Sequence, residues 1–183
     1  VARVAETVER PVDTVTAGLT DPDAHLRWDL PGPGLEGYLF PDTYRFAPGV
    51  ALDVVIETMV ERYRAAWTAA RITRLEELDM SENELVTLAS IIQAEARRVE
   101  EMPTISAVYH NRLRRGMRLQ ADPTVLYALG GRRERLLYAA IDSVADNPYN
   151  TYTQRGLPPG PIAAPGEAAI HAALYPTDEG YLY

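Results

Sequence analysis

Between Ser81 and Val99 the apolar residues Leu85, Leu88, Ile92 and Val99 return at helical intervals behind a Ser-x-x-Glu capping box formed by Ser81 and Glu84. The spacing predicts an amphipathic helix, and a helix of that kind has to be covered by other elements. It carries one anomaly. On a wheel with Leu88 at zero, Glu95 falls at about −20°, inside the apolar stripe, whereas Gln93 falls at about 140°, toward solvent. Burial disfavours a charged carboxylate and raises its pKa, so a carboxyl in that stripe is suited to donating a proton near neutral pH. The wheel leaves a second reading open, in which Glu95 slides to the edge of the stripe and pairs with Arg98.

Other segments give the helix its company. Ile56, Met59, Val60, Tyr63, Trp67 and Ala70 predict a helix from Asp53 to about Ile72. Pro103 suits the first turn of a helix that Gly116 stops. Met117 to Gln120 alternates like a short strand, and Asp122-Pro123 reads as the cap and first turn of a short helix ending at Gly130-Gly131. A last short helix is expected from Glu167 to Leu174. Before it, Asn147 to Gly166 holds Pro148, Pro158, Pro159, Pro161, Pro165 and three glycines, which predicts a long functional loop. The Pro31-Gly32-Pro33-Gly34 cluster marks a boundary, followed by an aromatic segment with Tyr38, Phe40, Tyr44 and Phe46 that reads as loop or edge strand. Helices dominate with a few short strands, so the expected class is α+β.

Composition narrows the chemistry. At 183 residues the chain is long enough for one real core. It has no cysteine, which removes thiol nucleophiles, disulfides and thiolate metal sites. His25, His110 and His171 are far apart in sequence, so neither a metal nor another cofactor is expected. A net charge of −8 argues against bulk nucleic-acid binding. No stretch reaches the ~18 apolar residues of a membrane helix. The chain begins at Val1 rather than Met and reads as a piece of a longer protein whose membrane anchor lies elsewhere.

A series of motifs occurs in order: Leu35-Glu36-Gly37-Tyr38-Leu39-Phe40-Pro41-Asp42-Thr43-Tyr44, Ala89-Ser90-Ile91-Ile92-Gln93-Ala94-Glu95, Asn111-Arg112-Leu113, and Arg118-Leu119-Gln120-Ala121-Asp122-Pro123-Thr124. Tyr149-Asn150-Thr151-Tyr152, Gly156-Leu157-Pro158-Pro159-Gly160-Pro161 and Tyr181-Leu182-Tyr183 follow. The series resembles the YceG-like family of endolytic murein transglycosylases, over about residue 35 to the end. Residues 1–34 resemble the tail of the small LysM-like subdomain that precedes the catalytic domain. Residues 35–183 then correspond to that catalytic domain, cut short at its C-terminal end.

The resemblance implies cleavage of peptidoglycan between N-acetylmuramic acid and N-acetylglucosamine without water, leaving a 1,6-anhydromuramoyl end. It implies a bacterial parent protein anchored in the cell membrane with this domain on the extracytoplasmic face, working as a monomer beside cell-wall synthases. The family's catalytic glutamate is the second acid of an Ala-Ser-Ile-Ile-Glu-x-Glu pattern. That acid maps onto Glu95, and Gln93 replaces the first.

The remaining candidates are weighed one by one. Gln120, Asp122 and Thr124 are expected to bind sugar hydroxyls or orient Glu95, with helix capping as the alternative for Asp122. Asn150, Thr151 and Tyr152 are expected to contact substrate from the loop, the alternative being internal bonding and core packing. Glu36 and Tyr44 are further substrate candidates, while Asp42 reads as a turn residue. Arg112 and Arg118, with Arg114 and Arg115, could steer the acidic stem peptides of the substrate, or they could merely end a helix. Two other functions compete: a non-catalytic peptidoglycan-binding or scaffolding module, and a hydrolase with two carboxylates.

Overall fold

The computed structural model describes residues 1–131 and 138–183. Ten α-helices and one 3₁₀ turn are present among them, and no strand. Helices α1 (Ala2–Thr7), α2 (Val12–Thr20) and α3 (Ala24–Arg27) open the chain. Helices α4 (Leu52–Ala65), α5 (Ala69–Glu77), α6 (Glu82–Glu95) and α7 (Met102–Arg114) follow the aromatic segment. Helices α8 (Asp122–Ala128), α9 (Tyr138–Asp142) and α10 (Glu167–Leu174) complete the set.

The helix predicted by its capping box is the axis of the molecule. Ser81 Oγ accepts the Glu84 N–H and the Glu84 carboxylate accepts the Ser81 N–H, so both orphan donors of that turn are satisfied. From Leu85 to Ile92 every residue of α6 is buried. Helices α7, α8 and α10 pack around it. Ala169, Ala172 and Ala173 are fully buried in α10, and their small side chains let the two helices approach closely.

The face of α6 that the wheel assigns to water is covered by the proline-rich loop. Asn83 Nδ2 donates to the Pro159 carbonyl at 3.1 Å, Ser90 Oγ accepts the Ile162 N–H at 3.0 Å, and Gln93 Oε1 accepts the Gly166 N–H at 3.2 Å. Gln93 therefore points at a loop rather than outward. A loop this poor in N–H groups lies flat on a helix because few of its donors need a partner.

Three boundaries differ from expectation. The helix expected from Asp53 to Ile72 breaks at Trp67-Thr68, where Thr68 Oγ1 caps α5 through the Arg71 N–H. Helix α6 ends at Glu95 instead of Val99, because the Glu101 carboxylate accepts the N–H groups of Arg97 and Arg98 and starts a 3₁₀ turn (Val99–Glu101). The expected strand at Met117–Gln120 does not form. Gln120 donates its N–H to the Thr151 carbonyl at 3.1 Å, but its own φ of 50° turns the chain out of extended geometry. The class is thus mostly helical, and the described residues lack the strands that α+β required.

Residues 1–34 are tied to the body. Ala5, Val8 and Val15 form a small core with Val55 of α4, and Ala24 and Leu30 join the main core.

Candidate functional site at the end of the central helix

Glu95 is the last residue of α6, and Ala96 turns away into extended backbone. The wheel's buried position is not what the structure shows: the side chain opens to solvent on one side. Protein crowds its other side, and the dehydration this causes raises its pKa, with the nearby Asp122 charge adding to the rise and Arg97 opposing it. The negative end of the helix dipole acts in the same sense. The alternative ion pair does not form, because Arg98 binds Glu101 at 3.0 Å.

Asp122 sits in the first turn of α8, where Ala121 takes the N-cap position. It does not cap. Its carboxylate accepts the Tyr152 hydroxyl at 2.5 Å and faces Glu95. Tyr152 is held by burial and by this bond in its neutral phenol form. The loop thus delivers Tyr152 to the site.

Three expected substrate contacts are buried and bonded within the protein. Thr124 and Thr151 are 0% and 1% exposed, and their hydroxyls lie 2.8 Å apart. Thr151 Oγ1 accepts the Ala121 N–H at 3.0 Å, which pins the Gln120–Asp122 segment to the loop. Asn150, also fully buried, donates its amide to the Ile141 and Val144 carbonyls, and its Oδ1 accepts the Tyr152 N–H.

Arg112 is a further correction. It is buried, and its guanidinium donates to the carbonyls of Leu119 and Leu182. Asn111 donates to the Glu179 and Tyr181 carbonyls, so the Asn-Arg pair clamps the final segment beside the site. Arg118 and Gln120 are exposed. Tyr44 gives its hydroxyl to the Phe40 carbonyl at 2.7 Å and stacks on Phe46. Asp42 binds the Thr43 N–H and Arg62, as its turn sequence predicts. Glu36 lies near Tyr127 and Tyr149; partial burial raises its pKa, and the Gly37 N–H offsets some of the rise.

Two hollows lie in this region, one beside the residues that flank Glu95 and one beside Asp122. A groove of about 810 Å³ is lined by Ala94 and Ala96, the chain neighbours of Glu95, together with Pro123, Leu126, Tyr127 and Ile162. A recess of about 200 Å³ is lined by Asp122, Tyr138, Ile141 and Tyr152. The tyrosines at 127 and 149 pack with ring centroids 4.8 Å apart. Among the described residues, no three His, Asp or Glu side chains converge on a metal position. Sequence reasoning missed Tyr109. Its ring lies in the core on α7, and its hydroxyl stays protonated through burial and the Glu95 charge. A tyrosine among apolar helix positions carries no sign of its partner across the fold.

A helical scaffold thus ends its central helix on the Glu95 carboxyl, with the Asp122 carboxyl near it and a groove beside its chain neighbours. The chain belongs to the YceG-like family, whose model matches residues 2–183. It is 41% identical over 150 residues to an endolytic murein transglycosylase of Bacillus subtilis (strain 168), and 35% identical over 152 residues to one of Streptococcus pneumoniae serotype 2 (strain D39 / NCTC 7466). Each alignment covers 81% of this chain, which spans 41% and 27% of those two proteins. The crystal structure of a yceG-like protein from Listeria monocytogenes superposes with a TM-score of 0.76 at 38% identity, covering all of this chain and 60% of the other.

Proposed function

We propose that this chain cuts peptidoglycan glycan strands internally as a lytic transglycosylase, with Glu95 as general acid and then general base. The observation that carries the reading is the Glu95 carboxyl, its pKa raised by dehydration and by the Asp122 charge, set between two residues that line an open groove. Relatives named endolytic murein transglycosylase support the substrate class.

The Glu95 carboxylic acid gives its proton to the glycosidic oxygen as the bond from that oxygen to the muramoyl anomeric carbon breaks. The bonding electrons leave with the oxygen, which becomes the 4-hydroxyl of the departing N-acetylglucosamine. The muramoyl 6-hydroxyl then attacks the anomeric carbon and returns its proton to the Glu95 carboxylate. Water is neither consumed nor released. Asp122, fixed by Tyr152, lies where a negative charge stabilises the developing oxocarbenium ion. Gln120 and Arg118 hold strand and stem from the exposed rim.

The same reading places the domain on the extracytoplasmic face of the bacterial cell membrane, on an anchored parent, as a monomer working with cell-wall synthases and no cofactor. It keeps residues 1–34 as the remnant of a LysM-like subdomain. Mass spectrometry of purified peptidoglycan digested by the full-length protein tests the chemistry. Anhydromuramoyl ends are expected. Reducing ends would make it a hydrolase using Asp122 as its second carboxylate, and unchanged glycan would make it a binding module.

A further inference from the structure

Gln93 uses only one end of its side-chain amide to hold the chain. Oε1 accepts the Gly166 N–H at 3.2 Å, which fixes that end as the oxygen and leaves the two N–H groups of Nε2 at the other. Among the described residues Nε2 makes no hydrogen bond, and it is not sealed in the core as Trp67 Nε1, Thr87 Oγ1 and Ser106 Oγ are. Gly166 is the N-cap of α10, which packs on α6, so both partners of the bond belong to the helical core. Gln93 also lines the groove of about 810 Å³ beside Ala94 and Ala96. Among the described residues along that groove, only Gln93 and Tyr127 carry a polar side-chain atom, while Pro123, Leu126, Ile162 and Ala163 present carbon. The groove is therefore an apolar channel with an amide N–H donor held in its wall.

We infer that Gln93 binds the acetamido group of a sugar in the glycan strand, Nε2 donating to the acetamido carbonyl while the acetamido methyl lies on the apolar wall. This rests on the reading of the chain as an enzyme that cuts glycan. An acetamido group joins a hydrogen-bond acceptor to a methyl, which are the two surfaces that the groove complements. It stands on every sugar of the strand, whereas stem peptides hang from every second one, so a strand laid in the groove presents it in any register. Residues two apart on a helix point to nearly opposite sides, so Gln93 does not serve the bond that Glu95 cuts. It serves a sugar further along the strand. A contact there holds ground state and transition state alike, and its loss is felt in KM rather than in kcat.

Two variants of the full-length protein separate this contact from the anchoring of Gly166. Gln93→Glu keeps an acceptor for the Gly166 N–H and loses the donor, whereas Gln93→Met loses both. On uncrosslinked glycan strands each should raise KM for anhydromuramoyl release about 5–20-fold, by more than it lowers kcat. A Gln93→Glu enzyme with wild-type KM overturns the assignment, since holding Gly166 would then be the whole role of Gln93. A loss confined to kcat overturns it as well. A second measurement keeps Gln93 in place and so does not depend on how its variants fold. In ¹⁵N-glutamine-labelled full-length Glu95→Ala protein, bound strands are expected to shift the Gln93 side-chain amide protons and to give them a nuclear Overhauser contact with acetyl methyl groups. Unshifted amide protons, or contact with the alanyl methyls of stem peptides alone, overturn it. Wild-type protein that makes no anhydro ends would sink the transglycosylase reading instead, so the two failures are told apart.

Discussion

Tyr152 donates its hydroxyl to Asp122 Oδ1 at 2.5 Å, and that bond joins the loop after α9 to the first turn of α8 at the carboxyl of Glu95. Asp122 is aimed by a neutral phenol donor. Its charge then acts on Glu95, whose ionisation would place two carboxylates in one small volume.

Asp122→Asn keeps an acceptor for Tyr152 and removes the charge. Glu95 loses a group that raises its pKa, so its carboxyl ionises at lower pH. Because the first step needs the protonated acid, activity falls as pH rises through the Glu95 pKa, and the variant should begin that fall earlier. A pH profile of kcat/KM for anhydromuramoyl release measures it. An unmoved limb would mean that the Asp122 charge does not reach Glu95.

Glu95→Gln should lower kcat by about 10²–10⁴-fold, the usual worth of general acid–base assistance. It should also affect stability in a pH-dependent way. A carboxyl with a raised folded-state pKa stabilises the fold fully below its unfolded value, and that contribution is lost as pH rises through the folded value. At neutral pH the glutamine variant, spared the ionised group, should therefore melt above wild type. Near pH 4 the two should converge. Melting temperatures across pH give the answer, and a glutamine variant less stable at pH 7 would contradict it.

Thr151→Val tests the staple beneath the site. The valine keeps the shape but removes the acceptor of the buried Ala121 N–H and the partner of Thr124 Oγ1. An unsatisfied buried donor costs about 1–3 kcal/mol, so denaturant unfolding should show a loss of that size. Asp122 follows Ala121 directly, so kcat should fall as well.

Arg112→Met should behave as a structural lesion. Its guanidinium serves the Leu119 and Leu182 carbonyls, and charged hydrogen bonds are worth about 1.5–3 kcal/mol each. A stability loss of about 2 kcal/mol or more is expected, with the remaining folded enzyme binding glycan normally. Weakened glycan binding without a stability loss would restore the steering role first assigned to this arginine.

The residues that were legible in the sequence were those whose partners lie nearby in it. Ser81 and Glu84 are three apart, and their box forms as written. Gly116 and Pro103 bracket α7 as their backbone preferences require. What failed depended on distant partners. Gln93 reads as a surface residue until Gly166, 73 positions on, lies across it. Thr124 and Thr151 read as sugar ligands until they prove to bond each other, and Arg112 reads as surface charge until residue 182 arrives. Periodicity singles out Glu95 through an apolar stripe that the residue does not lie buried in. The helix stops at it, and partial dehydration comes from neighbouring elements rather than from an apolar stripe.

Gly37 tests how tightly the aromatic segment is wedged against the loop that covers α6. Its φ of 89° suits glycine, and a Cβ built there would lie 2.4 Å from both Cβ and Cγ of Pro161 and 3.2 Å from Val86 Cγ1. Neither neighbour can yield, since Pro161 is a rigid ring and Val86 is buried in α6. Gly37→Ala should therefore combine left-handed strain of about 1–2 kcal/mol with overpacking of about 1–3 kcal/mol. For a chain of this size that lowers the melting temperature by roughly 5–15 °C. Gly156 supplies the comparison: its φ is 80°, but no atom lies within 4 Å of an added Cβ. Gly156→Ala should show the strain alone, a drop of only a few degrees. Equal losses in the two variants, read by circular dichroism, would mean that Pro161 moves freely and that the loop does not brace the central helix.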